Sequence, residues 1–215
     1  MARSAPAPAP TKSTPLAIIE AAERLFGSHG IENVSLRQIR LEADAANNSA
    51  VSYHFADREA LVRAIWEHRL PVLDRMRSAM LAELRARGLE RDPEAVIRAL
   101  VIPNYELRDA RGVHRYAAFF RHAMRWEAGA AIRHSQQELA PFSTEAMALL
   151  EAIRPELPRD LLHYRLRHGS CLFFDMICER DGDLADGRAV MEEQPFLAEG
   201  IAMLAAICFR PVATP

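Results

Sequence analysis

The stretch SLRQIRLEADAANNSAVSYHF, residues 35–55, decides how this chain of 215 residues is read. Ser35 and Gln38 have the spacing of a capping box, and Val34 and Ile39 flank it as a hydrophobic staple. A helix therefore starts at Leu36, with Leu36, Ile39 and Ala43 on its buried side. Asp44, Ala45 and Ala46 make a short turn, after which Asn47 caps another helix whose Ala50 and Val51 point inward. Two short helices joined by a turn of about four residues have helix-turn-helix geometry. On the outer face of the second stand Asn47, Asn48, Ser49, Ser52, Tyr53 and His54, nearly all able to hydrogen-bond.

Working outward, Thr14 and Pro15 form a favoured start for a preceding helix. Ile18, Ala22, Leu25 and Phe26 make its apolar stripe. Gly30 stands where a left-handed residue closes that helix, with Ile31 folding back toward Phe26 as in a Schellman closure. Asp57 caps a further helix that runs through Leu61 and Ile65 to a bend near Pro71. Residues 1–13 are a Pro/Ala tail, expected to be disordered. Such a three-helix unit, residues 14–66, can hold one outer helix rigidly enough to reach base edges while hydroxyls and basic groups around it reach phosphate. An asparagine can pair bidentately with adenine. Asn47 is equally at home as a simple cap, and Tyr53 and Phe55 as aromatics closing the small core.

The segments IEAAERLF (19–26), Gly30, SLRQI (35–39), YHF (53–55) and REAL (58–61) resemble the amino-terminal domain of tetracycline-repressor (TetR/AcrR) family transcriptional regulators. The resemblance covers Pro15 to Trp66; beyond it only length and helical character correspond. It implies that the helix at 47–54 enters the major groove of double-stranded operator DNA. Ser35 and Arg37 would then touch phosphate, Asn47, Asn48, Ser49 and Ser52 would face bases, and Tyr53 and His54 would pack on the backbone. Arg58 would replace the usual phosphate-gripping lysine. The turn is one residue longer than usual, Asp44 stands where the family has glycine, and Ala50 and Ser52 replace a common threonine and tyrosine.

No convincing alternation of β-branched residues occurs, so the expected class is all-α: the helix-turn-helix domain followed by a larger helical domain, residues 67–215. Helices are expected from Asp92-Pro93 to Asp109 with a break at Pro103, from His114 to Glu127, less regularly to Ile153, and over Pro158–Glu179 and Met191–Arg210, with a polar loop from Arg180 to Arg188 between the last two. The resemblance makes the larger domain a ligand-binding and dimerisation unit. Tyr105, Phe119, Phe120, Met124 and Phe173 are the candidates to line a pocket for a small apolar or aromatic effector, although aromatics at helical spacing also make ordinary core. Leu197, Ile201, Leu204, Ala205 and Cys208, with Leu172, Phe173 and Met176, form stripes that fit a four-helix homodimer seam. The same stripes can instead bury within their own domain.

Composition narrows the alternatives. The formal net charge is −2 at pH 7, so charge alone does not announce a nucleic-acid binder. That keeps a helical adaptor without DNA binding as an alternative. Enzyme motifs are missing: there is no Gly-x-Ser-x-Gly elbow, dinucleotide fingerprint, P-loop or His-Glu-x-x-His. Neither a cofactor nor a metal is expected, since His163, His168 and Cys171 lack a completing ligand and Asp181, Asp183 and Glu192 miss the calcium-loop pattern. Cys171, Cys178 and Cys208 give no disulfide framework. With neither a signal sequence nor an apolar span, a cytoplasmic protein is expected.

Overall fold

The computed structural model describes residues 14–43 and 55–212. Among them every regular element is helical: α1 (Thr14–His29), α2 (Leu36–Glu42), α3 (Arg58–Ala86), α4 (Pro93–Glu106), α5 (Arg115–Arg125), α6 (Gly129–Ser135), a 3-10 turn (Gln137–Leu139), α7 (Pro141–Ile153), α8 (Arg159–Ala185) and α9 (Glu193–Phe209). The predicted helix carrying Asn47, Asn48, Ser49, Ser52, Tyr53 and His54, and the turn before it, lie outside the described residues.

Local chemistry explains where the helices begin and end. The Ser35 N–H donates to Gln38 Oε1 at 2.8 Å and the Gln38 N–H to Ser35 Oγ at 3.2 Å, so both halves of the capping box are made. Asp57 caps α3 through the Ala60 N–H at 2.8 Å. Gly30 has φ 81°, and its N–H donates to the Phe26 carbonyl at 2.9 Å. That is the single-bond αL form of closure in place of the Schellman form expected. Pro71 and Pro103 both lie inside helices, so α4 continues past Pro103 to Glu106.

The largest departure from expectation is α8, which continues to Ala185 through most of the predicted polar loop. Its ties are both tertiary and local. Both Asp181 oxygens are engaged by His114, through its backbone N–H and its Nδ1, each at 2.8 Å. Arg180 donates to the Met191 carbonyl and lies over the Phe196 ring. Asp183 takes Arg188 at 2.7 Å. These ties hold residues 180–185 in helix that composition alone marks as loop.

Two hydrophobic cores result. One joins α1, α2 and the first half of α3 (Ile18, Phe26, Ile39, Ile65, Trp66) to Tyr116 and Phe119 of α5. The other gathers the end of α3 with α4, α7, α8 and α9 (Leu81, Ile97, Leu150, Phe174, Ile201, Leu204). Phe120 packs against both. Polar ties brace the joints: Arg69 grips buried Glu23 bidentately at 2.7 and 2.8 Å, linking α3 to α1. Asp175 of α8 takes Arg121 at 2.9 Å and Arg125 at 2.6 Å, both on α5.

The Asp175 clamp gives a pH-dependent prediction. Burial opposes ionisation, but hydrogen bonds from Arg125 and Arg121 outweigh it and hold the carboxyl below its ordinary value. The stabilisation is therefore present above the ordinary carboxylate range and is lost as pH falls through the lowered folded value. Asp175→Asn should cost about 1–2 kcal/mol in urea unfolding at neutral pH, and the deficit should shrink in acid, below the ordinary carboxylate range. An equal deficit at neutral and acid pH contradicts the assignment.

Candidate DNA-binding domain and effector cavity

The amino-terminal helices leave a polar edge at the start of α2. Ser35, Arg37 and Gln38 are exposed there, ahead of buried Ile39. Arg58, exposed on the first turn of α3, donates its Nε to the Val34 carbonyl at 2.8 Å. One guanidinium thus ties the entry of α2 to the entry of α3 and brings Arg58 beside the capped end of α2. Arg24 and Glu42, 3.2 Å apart, add a bridge from α1 to α2.

The larger helical part contains a cavity of about 370 Å3. Phe120 and Met124 line it, as the sequence suggests, together with Leu100, Val101, Met147 and Phe174. Tyr105, Phe119 and Phe173 do not. Tyr105 stacks on His114 at 4.3 Å with Arg108 over its ring at 4.6 Å. Phe119 is buried against Trp66 at 5.1 Å. Phe173 fills the space over Gly200, where an added Cβ would come within 2.7 Å of its ring. Periodicity marks these residues as apolar but does not say which apolar face meets a void.

Sequence reading missed the polar part of the same cavity. Arg77, Arg133, Asn104, Ser143 and Ser170 line it, and Arg77 is only 3% exposed. The available signal was positional. Arg77 stands in the stripe Leu70, Leu73, Leu81, Leu84, where an apolar residue would otherwise be expected.

The proposed seam residues also divide. Leu197, Ile201, Leu204, Ala205 and Cys208 are buried in the core of their own subunit. Gly169 explains how closely α8 and α9 approach, since a Cβ there would overlap Leu204. Leu172, by contrast, is 41% exposed and Met176 half-buried, and Tyr164 (58%) and Met203 (38%) are also exposed on this helix pair. Ala198 and Ala206 are exposed on the same pair.

The described residues thus form an all-α structure with a small amino-terminal unit and a larger helical part that carries a cavity. Residues 18–65 match the family model described as bacterial regulatory proteins, tetR family. A solved structure, that of a candidate tetR family transcription regulator from Shewanella sp. PV-4, shares the fold with a TM-score of 0.60 at 18% identity, over 90% of this chain and 96% of that one. No curated protein matches the chain. The match to the tetR family model is thus confined to the amino-terminal helices, while the likeness in fold extends over most of the chain. Among the described residues no helix is long and apolar enough to cross a membrane.

The cap at Ser35 carries a direct prediction. Ser35→Ala should destabilise the protein by about 1 kcal/mol, and Ser35→Asn should restore most of that loss. Thermal unfolding decides it: no loss in the alanine variant would mean that the capping box contributes nothing.

Proposed function

We propose that this chain is a ligand-responsive transcriptional repressor that binds a palindromic operator as a homodimer and leaves it when an effector fills the cavity. The observation that carries this reading is the join itself: a tetR-type domain over residues 18–65 shares its core with the helix that walls the cavity. Residues 14–66 act as the DNA-binding domain and 67–215 as the ligand-binding and dimerisation domain, with 1–13 an amino-terminal tail. Asn47, Asn48, Ser49 and Ser52 read bases, Tyr53 and His54 pack on the DNA backbone, and Ser35, Arg37 and Arg58 hold phosphates.

The coupling runs through α5. Its Phe119 sits in the amino-terminal core, and its Phe120 and Met124 form cavity wall. On the other side α1 presses closely on α5 at Gly27, where an added Cβ would stand 3.0 Å from Ala118 Cβ and from the Phe119 nitrogen. An effector that displaces Phe120 and Met124 therefore moves α1 along with α5. Release needs only that the effector prefer the displaced state. Two reading helices must stand about 34–36 Å apart to enter successive major grooves, so a small reorientation of each domain suffices to break the register.

The second subunit covers the outer face of α8 and α9, with Tyr164, Leu172, Met176 and Met203 as its apolar centre. An obligate seam buries on the order of 2,000 Å2 or more, which a long helix pair from each subunit can supply. Leu204 is a poor probe because it is buried inside the subunit. Met203→Glu should split the dimer while leaving the subunit helical, and it should abolish operator binding. Sedimentation at low micromolar concentration reads the first effect, and a stable wild-type monomer overturns this part of the reading.

DNA fragments selected by the purified protein supply the operator for the remaining test. Footprints should show two symmetric half-sites. Asn48→Ala and Ser49→Ala should each lose roughly 1–3 kcal/mol of specific binding, with random-sequence binding kept. Arg58→Ala should weaken both and lower the salt slope by about one. Failure to select any sequence, with no salt-dependent DNA binding, would favour the adaptor reading.

A further inference from the structure

We propose that the effector is an amphipathic organic acid, whose carboxylate pairs with Arg77 and Arg133 while its apolar body lies on Phe120, Met124, Met147 and Phe174. This deepens the reading of the cavity as an effector site and rests on it.

The charge balance of the lining carries the inference. Arg77 is almost fully buried in the middle of α3 and lines the cavity. Its Nε donates to the Leu100 carbonyl at 3.2 Å and one terminal nitrogen, Nη2, reaches Asn104 Oδ1 at 3.5 Å. The other, Nη1, has no hydrogen-bond partner. The nearest carboxylate is Asp74, whose Oδ1 stands 3.9 Å from Nη1, beyond hydrogen-bonding range. Both Asp74 oxygens are already engaged at the start of α7, by the Phe142 N–H at 3.1 Å and the Ser143 N–H at 3.0 Å. Arg133 joins this group: its Nη2 donates to Ser143 Oγ at 3.4 Å, and its guanidinium lies 5.9 Å from the Trp66 ring centroid. Two guanidiniums therefore share one carboxylate that is turned toward backbone amides. Burial pulls Arg77 down to about 10, with the neighbouring Arg133 charge acting in the same direction. It stays charged at neutral pH, and an incoming anion would relieve that cost.

The rest of the lining agrees. Its carboxylate, Glu151, is paired with Arg159 at 2.9 Å and hydrogen-bonded to His163 at 2.7 Å, and Arg167 adds another positive charge at the wall. A buried donor without an acceptor is costly, and a bidentate carboxylate is the group that a guanidinium fork matches best. A neutral apolar ligand would leave Arg77 unpaired, and a cation would be repelled. The volume lies near the lower end of the roughly 300–1,000 Å3 of small-molecule sites, which suits a compact acid.

Three probes of one chain length separate the possibilities: octanoate, octanamide and octylamine, titrated calorimetrically into the full-length protein at neutral pH. Octanoate should bind roughly tenfold or more tightly than the other two. Arg77→Met should remove that preference and leave octanamide binding unchanged. Arg133→Gln, at a less buried position, should reduce the preference and serves as the second variant if Arg77→Met does not fold. Equal affinity for octanoate and octanamide, tighter binding of octylamine, no binding of any probe, or a folded variant with the full preference each overturns the proposal. Operator binding measured with saturating octanoate tests the underlying reading separately. If octanoate binds with the expected preference yet leaves operator affinity unchanged, the anion site stands and the effector role of the cavity falls.

Discussion

The structure depends on one helix having two apolar faces. Residues 115–125 place Tyr116, Phe119 and Ala123 in the amino-terminal core and turn Phe120 and Met124 toward the cavity. Burying a large aromatic side chain stabilises by a few kcal/mol, so neither face can be given up cheaply. Trp66 fixes the joint from the α3 side. It meets Tyr116 edge-on at 5.9 Å, Phe119 at 5.1 Å and Phe120 edge-on at 5.7 Å. Close-packed interiors shift between discrete arrangements rather than deforming smoothly. A change at Phe120 therefore reaches Phe119 and Trp66 through direct contact.

Polar ties then decide how far each helix can move alone. Asp175 fastens α5 to α8 through Arg121 and Arg125, and Glu23 fastens α1 to α3 through Arg69. With α1 packed closely on α5 at Gly27, these ties anchor the pair at both ends. The cavity polar group lies farther along the same α3, with Arg77 and Asp74 both about two to three turns beyond Trp66. The wall that would sense a ligand and the amino-terminal core are thus parts of the same two helices.

What was legible in the sequence was local. Ser35 with Gln38, Gly30, Asp57 and Asp92-Pro93 each announce a helix end through hydrogen bonds within a few residues, and each is found in place. The all-α class follows from such signals, and the tetR-type reading from the resemblance of residues 15–66 to that family. Tertiary partners were not legible. The extension of α8 depends on His114, distant in sequence from Asp181. The apolar stripe of Leu197, Ile201 and Leu204 is real, but it meets the subunit's own core, and the outer face is left to Leu172, Tyr164 and Met203. Two of the five pocket aromatics and thioethers line the cavity, because period and polarity cannot locate a void. Arg77 reads as surface until its place in a leucine stripe is seen.

The claim that α1 and α5 behave as one body is tested most directly by amide hydrogen exchange on a cavity-wall variant. Phe174→Ala removes the ring that meets Phe120 at 4.8 Å from the α8 side. Cooperative units lose protection together. Exchange should therefore rise across Arg115–Arg125 and also across the second half of Thr14–His29, which Phe174 does not touch through α8 alone. A rise confined to α5 and α8, with α1 as protected as in the wild type, would contradict the account.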